Sequence, residues 1–227
     1  LLKLIAPAHA LSLQVHPTRR RAAEGFREEE AAGIPAASPL RSYKDRNHKP
    51  EMVFALTQFE AMCGFRAPRR AAELFAGLGT PLSERIARNL AGRPDAGGVR
   101  AAFTALFSRG RPTPEEVAQF AEACGRRLAA GSPSTRADRT VVKLHEQHPG
   151  DPGVVASLLL NPVTLRPGEA LFVPAGCVHA YLSGLAVEVM AASDNVLRAG
   201  LTAKHIDAAE MLAIVDYVAA PPIRIAP

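Results

Sequence analysis

The chain has 227 residues, of which 48% are hydrophobic and 22% charged, a balance typical of one or two globular domains with a buried core. No apolar run approaches the ~20 residues of a membrane-spanning helix, and the formal charge of +5 comes with no Trp and only three Tyr. A nucleic-acid groove needs clustered cations and stacking aromatics, so this composition argues against one. Three cysteines without a CxxC pair indicate a reducing compartment and no disulfide framework.

The N-terminal region, residues 1–65, combines strand patterns with one polar helix. The stretch LSLQVH alternates apolar and polar residues, which predicts a β-strand whose polar face carries Ser12, Gln14 and His16. Further strands are expected in LLKLI and in EMVFALTQFEAMCGF. Between them, TRRRAAEGFREEEAAG predicts a helix from Thr18 to a glycine stop.

Residues 66–150 change to helical patterns. Thr80 and Thr113 each precede a proline, which is typical of a helix N-cap followed by proline at the first helical position. Thr113 and Glu116 also have the spacing of a capping box. One apolar face has the helical spacing i, i+3, i+4, i+7, at Ala71, Leu74, Phe75 and Leu78. These faces indicate core packing, and we expect no chemistry in this region.

Strand patterns return at Asp151. Proline-glycine turns at 166–168 and 174–176 separate short β-type runs, a pattern that favours an antiparallel barrel or jelly roll. We therefore predict a mainly β fold, a barrel formed by residues 1–65 and 151–215 and interrupted by a helical insertion at residues 66–150.

The two β regions hold most of the residues that could bind a metal ion. Gln14, His16, Glu51 and His179 provide two imidazoles, a carboxylate and an amide oxygen. Such a set suits a catalytic Zn²⁺ with one open coordination position. It also suits Mn²⁺ or Fe²⁺, because availability and geometry decide the metal. The spacing alone is equally compatible with hydrogen-bonded core histidines.

Three segments resemble a known family. YKDRNHKPEM and HAYLSGLAVEVMAASDNVLRAGLTAKH resemble the signature segments of type I mannose-6-phosphate isomerases, and LSLQVHPTRRRAAEGF resembles their first metal-binding segment. The resemblance implies a zinc enzyme of the cupin superfamily, with a jelly-roll barrel interrupted by an α-helical domain. Such an enzyme interconverts mannose 6-phosphate and fructose 6-phosphate. It also implies one Zn²⁺ per chain, with Gln14, His16, Glu51 and His179 as the ligands.

Aldose–ketose isomerisation moves a proton between C1 and C2 of the sugar and develops negative charge on its oxygens. We predict that Arg198 stabilises that charge. Lys49 is the first candidate for the proton carrier. It lies two residues from Glu51, which places both on one face of an extended strand, and a nearby divalent cation would lower its pKa. The other candidates are His48, Glu188 and Asp194.

A phosphorylated substrate needs cations or hydroxyls away from the metal. By resemblance and chemistry the candidates are Ser12, Lys3 and Lys204. The expected partner is therefore a small sugar phosphate, with no nucleic acid and no membrane. We also expect a cytoplasmic monomer.

Two other functions remain open. One is a metal-binding cupin without activity, either a sugar-phosphate binder or a truncated remnant. Lys49, Glu188 and Arg198 argue for catalysis, because a binder needs no proton carrier. The other is an Fe²⁺ cupin dioxygenase, which Gln14 disfavours because such enzymes typically use two His and one carboxylate.

The chain also departs from the family pattern. Ala203 stands where the family usually has Pro. Cys177 is close enough to His179 to compete as a ligand, although a packed thiol is the commoner role. Family members usually extend further at both ends, so we expect a truncated chain whose residues 216–227 start a connection to a C-terminal cupin domain.

Overall fold

The structure, a computed structural model, describes residues 1–226 and contains strands, α-helices and one short 3₁₀ turn. The strands are β1 (Leu2–Ile5), β2 (Leu13–Val15), β3 (Glu51–Ala55), β4 (Phe59–Phe65), β5 (Leu160–Leu165), β6 (Ala170–Val173), β7 (His179–Ser183), β8 (Ala186–Met190), β9 (Leu197–Gly200) and β10 (Ile223–Ile225). The helices are α1 (Arg19–Ala31), α2 (Pro68–Phe75), α3 (Pro81–Gly92), α4 (Ala96–Phe107), α5 (Pro114–Ala129), α6 (Thr135–Gln147), α7 (Pro152–Ala156) and α8 (Ala208–Ile214). None of these helices is long and apolar enough to cross a membrane.

The strands form two antiparallel five-stranded sheets. The first has the order β1-β8-β3-β6-β10 and the second the order β5-β4-β7-β2-β9. The chain crosses between them after β3, at residues 56–58, so the run EMVFALTQFEAMCGF forms two strands in different sheets. The predicted combination of β-sheets with a helical insertion is confirmed at the level of two sheets and several helices. The prediction that the chain is mainly β is wrong, because the helices contain more residues than the strands.

The second sheet has a buried core on each side, because side chains alternate along its strands. On β2, Leu13 and Val15 pack in the larger core with the helices, whereas Gln14 takes the opposite face. On that opposite face, residues such as Ala61 and Tyr181 pack in a smaller core with Val53 and Leu171 of the first sheet. The polar face predicted for β2 is therefore turned toward the first sheet.

Helix ends follow the local sequence signals. Helix α1 has Thr18 as its N-cap, and the Thr18 hydroxyl accepts a hydrogen bond from Arg21 N. The predicted capping box of α5 is present, because Glu116 N donates to Thr113 Oγ1 and Thr113 N donates to the Glu116 carboxylate. Thr80 forms a second box with Ser83. The helices between the two β regions run from Pro68 to Ala156.

Several elements after Asp151 differ from the strand patterns expected there. Helix α7 and the 3₁₀ turn Ser157–Leu159 precede the first returning strand, β5. Helix α8 lies within the region predicted as barrel, with Asp207 as its N-cap and Met211 buried in the helical core. Strand β10 lies within the segment predicted as a connection, and it pairs with β6 at the edge of the first sheet. Neither α8 nor β10 has a long periodic pattern in the sequence, so contacts with the rest of the fold determine the secondary structure of both segments.

Gly184 occupies a position whose backbone conformation and close neighbours both favour glycine. Its φ is 109°, and an added Cβ would lie 2.4 Å from the Gln58 carbonyl oxygen. Gly33 is a matched control, because its φ is 69° but an added Cβ would meet no atom within 4 Å. We expect Gly184→Ala to lower the free energy of unfolding by about 3 kcal/mol and Gly33→Ala by about 1 kcal/mol. Urea denaturation of both variants measures the difference, and equal losses would contradict it.

Candidate metal centre

A row of polar side chains crosses the inner face of the second sheet. In the strand register, Gln14 of β2 faces His179 of β7 on one side and Arg198 of β9 on the other. Paired residues of antiparallel strands point to the same face, so these three side chains lie together. Glu51 at the start of β3 approaches them from the first sheet, and His16 follows directly after β2.

His16, Glu51 and His179 form the metal-capable cluster among the described residues. Their ligand atoms all lie within 4.8 Å of one another, and all three residues are buried. The His16 Nε2 to Glu51 Oε1 distance is 3.1 Å, and the His179 Nε2 to Glu51 Oε2 distance is 3.3 Å. Gln14 Nε2 lies 3.3 Å from His179 Nε2, so the amide adjoins the same space.

Backbone carbonyls fix the tautomer of both histidines. His16 Nδ1 donates to Asn195 O at 2.8 Å, and His179 Nδ1 donates to Cys177 O at 3.0 Å. A neutral imidazole that donates from Nδ1 keeps a lone pair on Nε2. Both Nε2 atoms therefore present lone pairs to the cluster, which is the arrangement that metal-ligating histidines usually show.

The centre of the cluster has a buried acceptor atom that lacks a hydrogen-bond donor. His16 Nε2 makes no hydrogen bond with a described residue, and it faces Glu51 Oε1, a second acceptor, at 3.1 Å. The Lys49 ammonium group neutralises that oxygen from 2.8 Å, but a cation between the two acceptors would relieve their repulsion. Two imidazole nitrogens, a carboxylate and an adjacent amide are donors suited to a divalent cation such as Zn²⁺. The residues present therefore fit a metal ion.

The electrostatics keep Glu51 ionised. Burial alone would raise the pKa of its carboxyl group, but the adjacent His16 and His179 outweigh burial and lower that pKa strongly. Burial lowers the pKa of His16 despite the neighbouring carboxylate. For His179 burial also disfavours the cation, but Glu51 outweighs it and the pKa is raised. Metal binding requires the carboxylate and neutral imidazoles, so His16 is already shifted toward the binding form and a metal ion would displace a proton held by His179.

Two further side chains contact Glu51. Lys49 Nζ lies 2.8 Å from Glu51 Oε1, so the structure brings the predicted proton carrier to the cluster. The Tyr181 hydroxyl donates to Glu51 Oε2 at 3.3 Å. Tyr181 was not among the residues predicted for the site. It follows His179 by two residues on β7, so strand alternation could have placed it on the same face.

Glu188 and Lys3 lie on the inner face of the first sheet. Glu188 pairs in register with Lys3 on one side and with Val53 on the other. Because Glu51 and Val53 alternate on β3, Glu188 shares a face with Glu51. Burial, and then the charge of Glu51, raise the pKa of Glu188. Lys3 is exposed, so this pair extends from the buried cluster toward solvent.

Two more predicted residues adjoin Gln14. The Ser12 hydroxyl donates to Gln14 Oε1 at 3.3 Å. Arg198 is half-buried beside Gln14, and burial lowers the pKa of its guanidinium group. Gln14, Ser12 and Arg198 thus form one polar surface next to the histidines.

The remaining residues that the sequence suggested for the site lie in loops. Neither His48, which is half-buried, nor Asp194, which is exposed, makes a side-chain hydrogen bond or ion pair with another residue of the 1–226 range. Lys204 lies in the exposed bend after β9, beside Ala203, and its backbone N donates to Thr202 Oγ1. The Cys177 thiol lies outside the metal-capable cluster, 3.4 Å from the Cys63 thiol.

Asn195 connects the loop before β3 to His16, a role that sequence reasoning missed. Its buried side chain accepts hydrogen bonds from Lys44 N and Asp45 N, and it donates to Asp45 O and Asn47 O. Its backbone carbonyl accepts the His16 Nδ1 hydrogen bond. The sequence around Asn195 does not indicate this role, because the partners of its side chain lie about 150 residues earlier in the chain.

We expect Asn195→Ala to lower zinc affinity about 10–100-fold, because the carbonyl that orients His16 loses its support. The matched control is Asn161→Ala. Asn161 also donates to several carbonyls, including Phe65 O and Ala220 O, but it contacts none of the proposed metal ligands. Titration of each variant against a chromophoric zinc chelator gives the affinities. Unchanged affinity in Asn195→Ala would contradict the assignment.

The chain is similar in sequence to known mannose-6-phosphate isomerases. Residues 1–68 match the family model described as phosphomannose isomerase type I, catalytic domain. The mannose-6-phosphate isomerase of Escherichia coli is 41% identical over 225 residues, which cover 97% of this chain and 55% of that protein. The enzyme of Rattus norvegicus is 33% identical, with 97% of this chain and 52% of that protein covered.

Solved structures agree with the sequence matches. A zinc-bound mannose 6-phosphate isomerase superposes with a TM-score of 0.84 at 41% identity and covers 97% of this chain and 54% of that chain. A mutant phosphomannose isomerase from Salmonella typhimurium gives a TM-score of 0.84 at 39% identity, with the same coverage. The chain spans about half the length of the curated relatives it matches.

Proposed function

We propose that this chain, a homologue of the type I phosphomannose isomerases over 97% of its length, carries the zinc site of an aldose–ketose isomerase that interconverts mannose 6-phosphate and fructose 6-phosphate. The observation that carries the proposal is the buried His16–Glu51–His179 cluster, with both Nε2 lone pairs turned inward and Gln14 beside them. We also propose that the two sheets belong to a cupin-type jelly roll, with the helices inserted between its halves.

Gln14, His16, Glu51 and His179 would hold the zinc ion. When bound, Zn²⁺ supplies a Lewis acid for the sugar oxygens. Arg198 adjoins Gln14 in the strand register, and we propose that its guanidinium group binds the same oxygens and stabilises their developing negative charge. His16, Glu51 and His179 are buried between the two sheets. Electrostatic contacts are stronger in such surroundings than in bulk water.

We propose Lys49 as the residue that moves the proton between C1 and C2. Its ammonium group lies against Glu51, at the edge of the cluster where a sugar would adjoin the metal. Glu188 is the rival, because burial and the charge of Glu51 raise its pKa and favour a carboxyl group that holds a proton. His48 and Asp194 have weaker support, since their side chains make no described contact with the cluster.

Lys49→Gln tests this assignment. We expect exchange of the substrate C2 proton with solvent to slow about 100-fold, because a positioned acid–base group contributes that much or more. Zinc content should stay that of the unmodified chain, and Glu188→Gln should slow exchange less than about tenfold. Nuclear magnetic resonance in deuterated water measures the exchange. If Glu188→Gln slows the exchange more than Lys49→Gln at full zinc content, Glu188 is the residue that moves the proton.

For the substrate phosphate we propose Lys3 and Ser12, with Lys204 as a third contact. Lys3 is exposed next to Glu188, and Ser12 adjoins Gln14, so both lie at the solvent side of the cluster. A lysine ammonium group and a hydroxyl are suitable partners for phosphate oxygens. The expected partner remains a small sugar phosphate, and the monomeric state remains a prediction.

The decisive experiment is a coupled isomerase assay on the purified chain with mannose 6-phosphate, before and after chelation and after addition of zinc. Activity that is lost on chelation and restored by zinc would support the proposal. A folded, zinc-loaded chain without activity would instead favour a sugar-phosphate binder. Equilibrium dialysis with mannose 6-phosphate would then measure the binding directly.

A further inference from the structure

Two thiols lie close together beside His179 of the metal cluster. Cys63 lies on β4 in register with His179 of β7, and Cys177 lies in the turn that leads into β7. Their Sγ atoms are 3.4 Å apart, and both are free thiols. The third cysteine, Cys124, is buried in the helical core on α5.

The pair is accessible from one side. A cavity of about 110 Å³ is lined by both cysteines together with residues of the C-terminal segment, including Ala220 and Pro222. A water molecule occupies about 30 Å³ of liquid volume, so hydrogen peroxide fits in this space. Cys177 is half-buried, whereas Cys63 is 1% exposed, which makes Cys177 the thiol that a small oxidant meets first.

We propose that Cys63 and Cys177 are a site of oxidation by peroxides, at which an intramolecular disulfide forms and weakens metal binding by the neighbouring cluster. The Cys177 sulfur attacks one peroxide oxygen, the O–O bond breaks, and the thiol proton of Cys177 joins the departing hydroxide to form one water, which leaves a sulfenic acid. The Cys63 sulfur then attacks the sulfenic sulfur, the S–O bond breaks, and the thiol proton of Cys63 joins the departing hydroxide to form the second water. Two thiols are oxidised and one hydrogen peroxide is reduced to two waters.

The effect on the metal centre follows from the backbone of Cys177. A disulfide requires an S–S distance of about 2.05 Å, so the two sulfurs must approach by about 1.4 Å. Cys63 lies on β4, which pairs with β5 on one side and β7 on the other, whereas Cys177 lies in a turn, so Cys177 moves more. Its carbonyl oxygen accepts the His179 Nδ1 hydrogen bond. Displacing this acceptor turns the His179 ring, and loss of such support typically lowers metal affinity about 10–100-fold.

The experiment separates thiol chemistry from catalysis, because it uses no sugar substrate. The purified full chain is treated with hydrogen peroxide, its thiols are counted after denaturation, and the disulfide is located by peptide mass mapping. We expect the three thiols of the sequence to fall to one, with Cys63 joined to Cys177. Cys124→Ala should form the same disulfide and keep no free thiol.

Zinc affinity is then measured by chelator competition before oxidation, after oxidation and after reduction with dithiothreitol. We expect zinc affinity to fall at least tenfold on oxidation and to recover fully on reduction. In Cys63→Ala no disulfide can form within the pair, so peroxide should leave zinc affinity unchanged. Formation of sulfinic acid without a disulfide, disulfides between chains, or a disulfide that leaves zinc affinity unchanged would each overturn the proposal. A chain that binds no zinc at all but forms the disulfide would instead count against the proposed metal function.

Discussion

Glu51→Gln is expected to lower the zinc affinity of the chain more than about 100-fold, because it removes a direct ligand, whereas loss of a supporting contact alone costs 10–100-fold. The glutamine has nearly the same shape, so the packing of the cluster is kept. It lacks the negative charge that balances Lys49 and supports both histidines. The neutral amide also leaves the Lys49 ammonium group buried without its partner, which further disfavours a second cation nearby.

The matched control is Glu60→Gln. Glu60 is a half-buried carboxylate of the second sheet, and it forms an ion pair with Arg136 of helix α6 at 2.7 Å, away from the metal cluster. Zinc content after dialysis and affinity from chelator competition should be unchanged in this control. Retention of full zinc affinity by Glu51→Gln would remove Glu51 from the metal site and would leave the inward-turned histidine lone pairs without an explanation.

Asp138→Ala is expected to destabilise the chain by about 3 kcal/mol. Asp138 on α6 is 0% exposed and accepts two hydrogen bonds from the Arg127 guanidinium group of α5, at 2.6 Å and 2.9 Å. The Ser132 hydroxyl donates to the same carboxylate. Removing one member of a buried ion pair leaves the other charge without a partner, and such changes typically cost 3–5 kcal/mol. Arg127 is partly exposed, which places the estimate at the lower end of that range.

Arg126→Ala is the matched control for this prediction. Arg126 neighbours Arg127 on α5, but its side chain is 70% exposed and lies 3.9 Å from the Glu122 carboxylate. Exposed ion pairs contribute at most about 1 kcal/mol, so the control should change stability by less than about 0.5 kcal/mol. Urea denaturation followed by circular dichroism measures both variants. Equal stabilities of Asp138→Ala and the unmodified chain would contradict the assigned role.

The sequence alone determined features that depend on near neighbours along the chain. Thr18 and Thr113 predicted helix starts correctly, because an N-cap hydroxyl acts on backbone groups two or three residues away. Alternation placed Gln14 on the face opposite Leu13 and Val15, because successive strand residues point to opposite faces whatever the rest of the fold does. The three signature segments also pointed to the family that the comparisons match and to the set of candidate ligands.

The tertiary structure decided which of those residues meet. His179 lies 165 residues from Gln14, yet β7 and β2 pair so that their side chains come within 3.3 Å. Strand pairing also brought Tyr181 and Glu188 to the cluster, and it made Asn195 and the Cys177 carbonyl the groups that orient the two histidines. Local patterns fix the face and period of each element, but the partner of each face depends on long-range packing of the whole chain, which no short stretch of sequence specifies.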